Sequence, residues 1–250
     1  MTTHNTFRVL TAVSVMVALT AAVQAGSVGV NFGSNRSGAL LAATDTAGVV
    51  AQQNWNNAPN ASGSIGDAKD GLGGLTGMGV TWTTNESWDL GGSPVTGDGK
   101  LMKGWVATHS DSSASTIALS SIPYAQYDLY LYVSHDRASE DTRFNETSVP
   151  AITNFVTVED VTSTTVGANP FVFNEITTSG ATGNYTKFTG LTQTSLSLEF
   201  YSQDDGNHRG PLSGLQIVDA TPVIPEPMTM LAVGLGVAGL GRYVRRRRRG

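Results

Sequence analysis

Apolar and polar residues alternate in six short segments of the chain. Val28, Val30 and Phe32 alternate with Gly29 and Asn31, and Val80 and Trp82 with Thr81 and Thr83. Ile117 and Leu119 follow the same rule. Tyr127, Leu129, Leu131 and Val133 share one face, with Asp128, Tyr130, Tyr132 and Ser134 on the other. Leu196, Leu198 and Phe200 oppose Ser195, Ser197, Glu199 and Tyr201, and Leu215 and Ile217 end the series. A period of two predicts strands with one buried and one wet face. Gly, Asn, Asp, Ser and Pro clusters separate them. The pattern predicts an all-β body, an antiparallel β-sandwich over residues 26–221. One helix is expected, Ala39 to Val50, weakened by Gly48, and residues 56–79 are expected to form a long surface loop.

Both ends depart from this pattern. Residues 1–25 carry Arg8, then an apolar stretch from Val9 to Val23, then Gln24 and Ala25, which reads as a signal peptide cut by signal peptidase between Ala25 and Gly26. Residues 222–250 start as a Pro-rich stalk with Pro222, Pro225 and Pro227. An uncharged run follows from Met228 to Gly241, then Arg242, Tyr243, Val244 and the arginines Arg245, Arg246, Arg247, Arg248 and Arg249. As a helix the uncharged run spans roughly 21 Å, and roughly 26 Å if Arg242 snorkels and Val244 is included. A thinned bilayer accommodates that length. A single transmembrane helix with its arginines in the cytoplasm is expected, and the leader sends everything upstream across the membrane.

Composition narrows the function. There is no cysteine, so disulfides, thiolate zinc sites and catalytic thiols are absent. Of 15 basic residues, Arg8 sits in the leader and six arginines in the tail; of 20 acidic ones, only Glu226 is in the tail. The body therefore holds 8 basic against 19 acidic residues, a net charge near −11 that argues against nucleic acid as a partner. No G-x-S-x-G, P-loop or H-E-x-x-H occurs. Gly234, Gly236 and Gly239 spell G-x-G-x-x-G inside the apolar tail, without the strand or acid a dinucleotide site needs. His109, His135 and His208 read as loop or surface residues.

Three groups of residues are candidates for ligand binding. The stretch 134–143 holds Asp136, Arg137, Glu140, Asp141 and Arg143, and the stretch 203–210 holds Asp204, Asp205, His208 and Arg209. If both loops lie at one end of the sandwich, their acids and amides suit sugar hydroxyls or a calcium ion, the one candidate cofactor. Internal Asp–Arg pairing in solvated turns is the alternative. The third group is aromatic. Trp55 stands between Asn54 and Asn56, and Trp88 follows Glu86 and Ser87. An exposed indole beside amides is suited to stacking on a sugar ring, whereas Trp82 is expected in the core.

Two resemblances bear on these readings. Pro225, Glu226 and Pro227, the short Gly-rich apolar run and the arginine cluster together resemble the PEP-CTERM sorting signal. That implies processing by exosortase, membrane anchoring by the C-terminal helix beforehand, and a final place on the cell surface or in the matrix of exopolysaccharide-producing, biofilm-forming bacteria. The strands Gly29-Val30-Asn31-Phe32, Tyr127 to Val133 and Leu212 to Val218 resemble a galactose-binding-like jelly roll, a fold common in carbohydrate-binding modules. The expectation is an exported, non-enzymatic structural, adhesive or glycan-binding protein, with extracellular polysaccharide as partner. The alternative is an exported glycosidase or lyase acting through carboxylates, for which no acid–base pair is identifiable.

Overall fold

The computed structural model describes residues 26–109, 115–135, 141–146, 153–158, 163–178, 180–202 and 209–221. The leader, the Pro-Glu-Pro motif and the arginine tail lie outside them. Among the described residues no helix is long and apolar enough to cross a membrane.

The chain forms strands β1 (Ser27–Phe32), β2 (Asn56–Ala58), β3 (Ser62–Ile65), β4 (Gly79–Thr83) and β5 (Glu86–Asp89), then helix α1 (Gly97–Leu101). Strands β6 (Gly104–His109), β7 (Ser115–Ser120), β8 (Tyr127–Tyr132), β9 (Asp141–Glu146) and β10 (Thr153–Val158) follow, then α2 (Ser163–Val166). The last are β11 (Thr182–Gly183), β12 (Tyr185–Leu191), β13 (Leu196–Ser202), β14 (Arg209–Leu212) and β15 (Gly214–Asp219). A five-stranded sheet has the order β12-β8-β15-β1-β2, a seven-stranded sheet the order β11-β10-β9-β13-β7-β4-β3, and a small sheet the order β14-β6-β5. The body is all-β and antiparallel except for two edge pairings, β1 with β2 and β10 with β11, which run parallel.

The main core lies between the two larger sheets. Val28, Val30, Phe32, Leu129, Leu131, Leu215 and Ile217 from one meet Val80, Trp82, Ile117, Leu119, Leu198 and Phe200 from the other. Phe32 and Trp82 touch edge to face at 5.9 Å, and Val106 and Leu212 of the small sheet close one end. All six segments with period-two alternation are strands, and Trp82 is in the core as expected.

The expectation of a wet second face fails for the five-stranded sheet. Tyr130, Tyr132, Ser134 and Gln216 point away from the main core, yet all are buried. A layer made of residues 39–55, α1 and the segment 166–173 covers them, forming a second apolar cluster with Leu41, Trp55, Leu101, Met102, Val166 and Phe171. The expected helix from Ala39 to Val50 is instead part of this cover, a run of turns. Its backbone is held by side chains of the sheet below. The Tyr132 hydroxyl accepts from Val49 N at 2.9 Å and donates to Gln216 Oε1 at 2.7 Å, while Gln216 Nε2 donates to the Val50 carbonyl. Gly48 has φ +93 and sits where a Cβ would lie 2.9 Å from Trp55, which suits a turn and not a helix. A Cβ at Gly29 would come within 2.6 Å of the Trp55 ring, so the missing side chain lets the indole lie close against β1.

Residues 56–79 are not one loop. They contain β2, β3 and a closed turn in which Lys69 bridges to Leu75. Registers define two ends of the sandwich. At one, Gly26 accepts from Asp219 N and the chain leaves through Ala220, which donates to the Gln126 carbonyl. At the other lie Gly33, Gly214, the end of β8, the ends of β4 and β13, and the small sheet.

Candidate functional site

The far end, opposite the chain exit, is built around β5. After β1 the chain turns through Gly33, whose φ is +66 and whose Cβ would lie 2.5 Å from Trp105 N. Only glycine lets the turn ride this closely on β6. The turn is closed by Arg36 N to Gly33 O and Ala39 N to Arg36 O. It sets Arg36 beside β5, with the guanidinium 4.8 Å from the Trp88 ring centroid and Nη2 donating to the Ser87 carbonyl. Arg36 Nε is shut off from water without an acceptor among the described residues, and no described carboxylate pairs with this guanidinium. Trp88 itself is 52% exposed.

Amides and hydroxyls surround this pair. Asn35 accepts from the buried Ser87 Oγ at 3.4 Å, and its Nδ2 reaches Oδ1 of the exposed Asn60 amide at 3.5 Å; both contacts are long and leave the two amides capacity for other partners. Asn60 is fixed from below, its carbonyl accepting from Trp82 Nε1 at 2.8 Å. Trp105, the cross-strand partner of Trp88, is fully buried and packs on His135 at 5.1 Å between rings. His135 is thus interior and not a surface residue: it lies three residues past the end of β8, fully buried against Trp105.

Arg209 opens β14 and pairs with Glu86 of β5, Nε to Oε1, at 2.5 Å. That ion pair ties the start of β14 to the strand of Trp88. In the register of β9 and β13, Thr142 faces Ser202, so the chain entering β9 and the chain leaving β13 are neighbours. The strand ends that bracket 136–140 and 203–208 therefore share the far end. Asp136, Arg137, Asp204, Asp205 and His208 lie outside the described residues. Asp141 and Arg143 belong to β9 itself and not to a loop, since β9 begins at Asp141. The segment after β13 leads to β14 and not to the last strand.

Trp55 is a correction. It is only 5% exposed, its Nε1 donates to the Gln52 carbonyl at 3.2 Å, and its ring meets Tyr132 edge to face at 6.0 Å. The flanking amides hold the chain together: Asn54 Nδ2 donates to the Gly71 carbonyl, and Asn56 Nδ2 to the Gly29 and Lys69 carbonyls. No ring face is left for a sugar. Arg36, Asn35 and Asn60 were missed in the sequence because nothing in the local pattern links Arg36 to a strand 51 residues away.

A second polar group lies at the β8–β12 edge. The Tyr185 hydroxyl donates to Glu175 Oε2 at 3.1 Å, and Lys187 Nζ stands 5.8 Å over the Tyr130 ring. Burial first, then the hydrogen bond to Glu175, push the Tyr185 phenol up to about 12, so it stays a hydrogen-bond donor at neutral pH. Among the described residues no group of three or more His, Asp or Glu side chains is gathered as a metal site. Comparison with protein-family profiles, with curated proteins and with solved structures gives no match.

Proposed function

We propose that this chain is an exported, non-enzymatic protein of the cell surface or extracellular matrix that binds glycan at the far end of its sandwich. The observation that carries the reading is Trp88, a half-exposed indole with a guanidinium seated on its ring. A sugar presents an apolar C–H face for the free indole surface and hydroxyls for Arg36, Asn35 and Asn60. The site lies away from both chain ends of the body, so an anchored protein presents it outward.

Export and sorting complete the proposal. The leader delivers the body, and the PEP-CTERM-like tail holds it at the membrane until exosortase acts near Pro225, Glu226 and Pro227. The jelly-roll-like reading has one support: the three strands that carry the resemblance, β1, β8 and β15, are neighbours in a single sheet.

The test is binding of the full chain to exopolysaccharides and a glycan array, with hydrolysis followed in parallel. Trp88→Ala and Arg36→Ala should each weaken glycan binding about tenfold, the loss of roughly 1.4 kcal/mol. Unchanged affinity in both sinks the site. Product release from a polysaccharide would favour the enzyme. Alanine at Pro225, Glu226 and Pro227 should leave an uncleaved, membrane-retained form. The calcium reading predicts a higher melting temperature with calcium than with chelator.

A further inference from the structure

The end of the sandwich where the chain exits carries an apolar tip. The turn from Lys69 to Leu75 presents Leu72 at 86% and Leu75 at 68% exposure, two of the most exposed large apolar side chains among the described residues. This turn is locked. Asp70 Oδ1 accepts from Leu72 N at 2.9 Å and Gly74 N at 2.8 Å, Gly73 N donates to the Asp70 carbonyl, and Asp70 N to the Gly74 carbonyl. The amides of Asp70, Leu72, Gly73 and Gly74 are therefore satisfied within the turn itself. Pairing these four donors within the turn lowers the cost of moving it into a medium of low polarity, where an unpaired backbone donor is expensive.

Its position is defined as closely as its shape. Gly71 N donates to the Ser27 carbonyl, and Asp219 N to the Gly26 carbonyl, so the turn sits beside both chain ends of the body. Tyr124 packs against Gly26 in the same corner. From Thr221 only residues 222–227 precede the apolar run that starts at Met228. The seven Cα steps from Thr221 to Met228 span at most about 25 Å, so the apolar run begins within that distance of Thr221, at the end of the sandwich that also carries the turn. Exposed Lys69 flanks the tip and can carry its ammonium to lipid phosphate while its stem stays apolar. The Asp67 carboxylate accepts from Gly77 N on its own chain.

We infer that the Leu72–Leu75 turn docks the body onto the surface of a phospholipid bilayer while the tail anchors the chain. The inference rests on the reading of the tail as a membrane span. Tethering keeps the turn at high effective concentration near lipid, so two leucines suffice where they would not hold a free protein.

The chain has no cysteine, so Leu72→Cys carries a polarity-sensitive fluorophore at one position. Leu40→Cys is the matched control, an exposed leucine beside Ala39 at the far end. The labelled full chains are reconstituted into phosphatidylethanolamine–phosphatidylglycerol vesicles with brominated acyl chains. The expected result is a blue shift and loss of intensity at 72 and neither at 40. A chain that floats with the vesicles while label 72 reports water overturns the docking alone. A chain that does not float overturns the tail reading and the docking together. A blue shift that needs protein concentration but no lipid points to a second copy and also overturns it.

Discussion

The two ends of the sandwich handle polar and apolar groups in opposite ways. At the exit end, Asp67 and Asp70 are consumed by backbone donors of their own turns, and what faces outward is Leu72 and Leu75. At the far end Trp105 is withdrawn completely, and beside the exposed Leu40 what faces outward is the half-exposed Trp88 indole, a guanidinium with no carboxylate partner among the described residues, and the amides of Asn35 and Asn60 in long contacts. One end has spent its hydrogen bonds and the other has kept them available. Unspent donors and acceptors suit a hydroxyl-rich ligand; a satisfied backbone under exposed leucines suits an apolar surface.

The largest expected effect breaks the far end from inside. Trp105→Ala removes a fully buried indole beneath β5 and should cost about 3–5 kcal/mol in urea unfolding. Trp88→Ala, its cross-strand partner, should cost less than about 1 kcal/mol because half of the ring is already wet. If the two losses are equal, Trp88 is a core residue and the far end is not a binding surface.

The exit end has a smaller counterpart. Asp70→Ala releases the exposed amides of Leu72 and Gly74 to water and opens the turn, at a cost of about 0.5–1.5 kcal/mol. Faster amide exchange confined to residues 70–75 is the accompanying sign. Exchange spreading into β1 would show that the turn supports the sheet and is not an independent tip.

These contrasts were only partly legible in the sequence. Strands whose two faces differ announce themselves, and β4, β7 and β13 were visible for that reason. Strand β8 was visible too, but Tyr130 and Tyr132 were read as wet, because a polar atom on a side chain does not say whether water or Gln216 will satisfy it. Trp55 and Trp88 stand in similar local sequence, each beside amide or hydroxyl residues. One is sealed by a glycine at position 29 that leaves room above β1, and the other is open, and no local rule separates them. Strands β2, β3, β5 and β14 are short and show no alternation of apolar and polar positions, and their pairing is decided by distant partners. The far-end site inherits that difficulty, since Trp88 comes from β5 while Arg36 and Asn60 come from the turns that follow β1 and β2.

The cover between the two ends gives a pH test with two signs. Burial raises the Asp98 carboxyl above its ordinary value of 3.8, opposed in part by its hydrogen bond from Gly48 N. Between 3.8 and the raised native value the folded state holds more protons than the unfolded chain, so stability falls as pH rises through that window. Asp45 behaves oppositely. Burial pushes it up, but its hydrogen bond and ion pair with Lys100 at 2.7 Å and the Ala42 amide bring it below 3.8. Its contribution is present above 3.8 and is lost as pH falls through the lowered value. Asp98→Asn should flatten the fall above 3.8, and Asp45→Asn the rise below it. A pH profile unchanged by either variant would show that neither carboxyl is held in the cover as the Gly48 and Lys100 contacts describe.

The smallest expected change in stability is at the leucine tip. Leu72→Ser and Leu75→Ser together replace side chains already in water, and should shift unfolding by no more than about 0.5 kcal/mol. Neither side chain belongs to either apolar cluster, and the bonds that close the turn come from Asp70 and the backbone. Serine leaves all of them in place. The same double variant in the anchored chain should nonetheless expose the stalk at 222–227 to added protease several-fold faster, because the body no longer rests on the lipid. A large loss of stability would mean that the leucines pack against something within the protein, and the exit end would then be an ordinary closed surface. Equal protease rates with stability unchanged would leave the tip exposed and without a partner at the membrane, and the contrast between the ends would reduce to the far end alone.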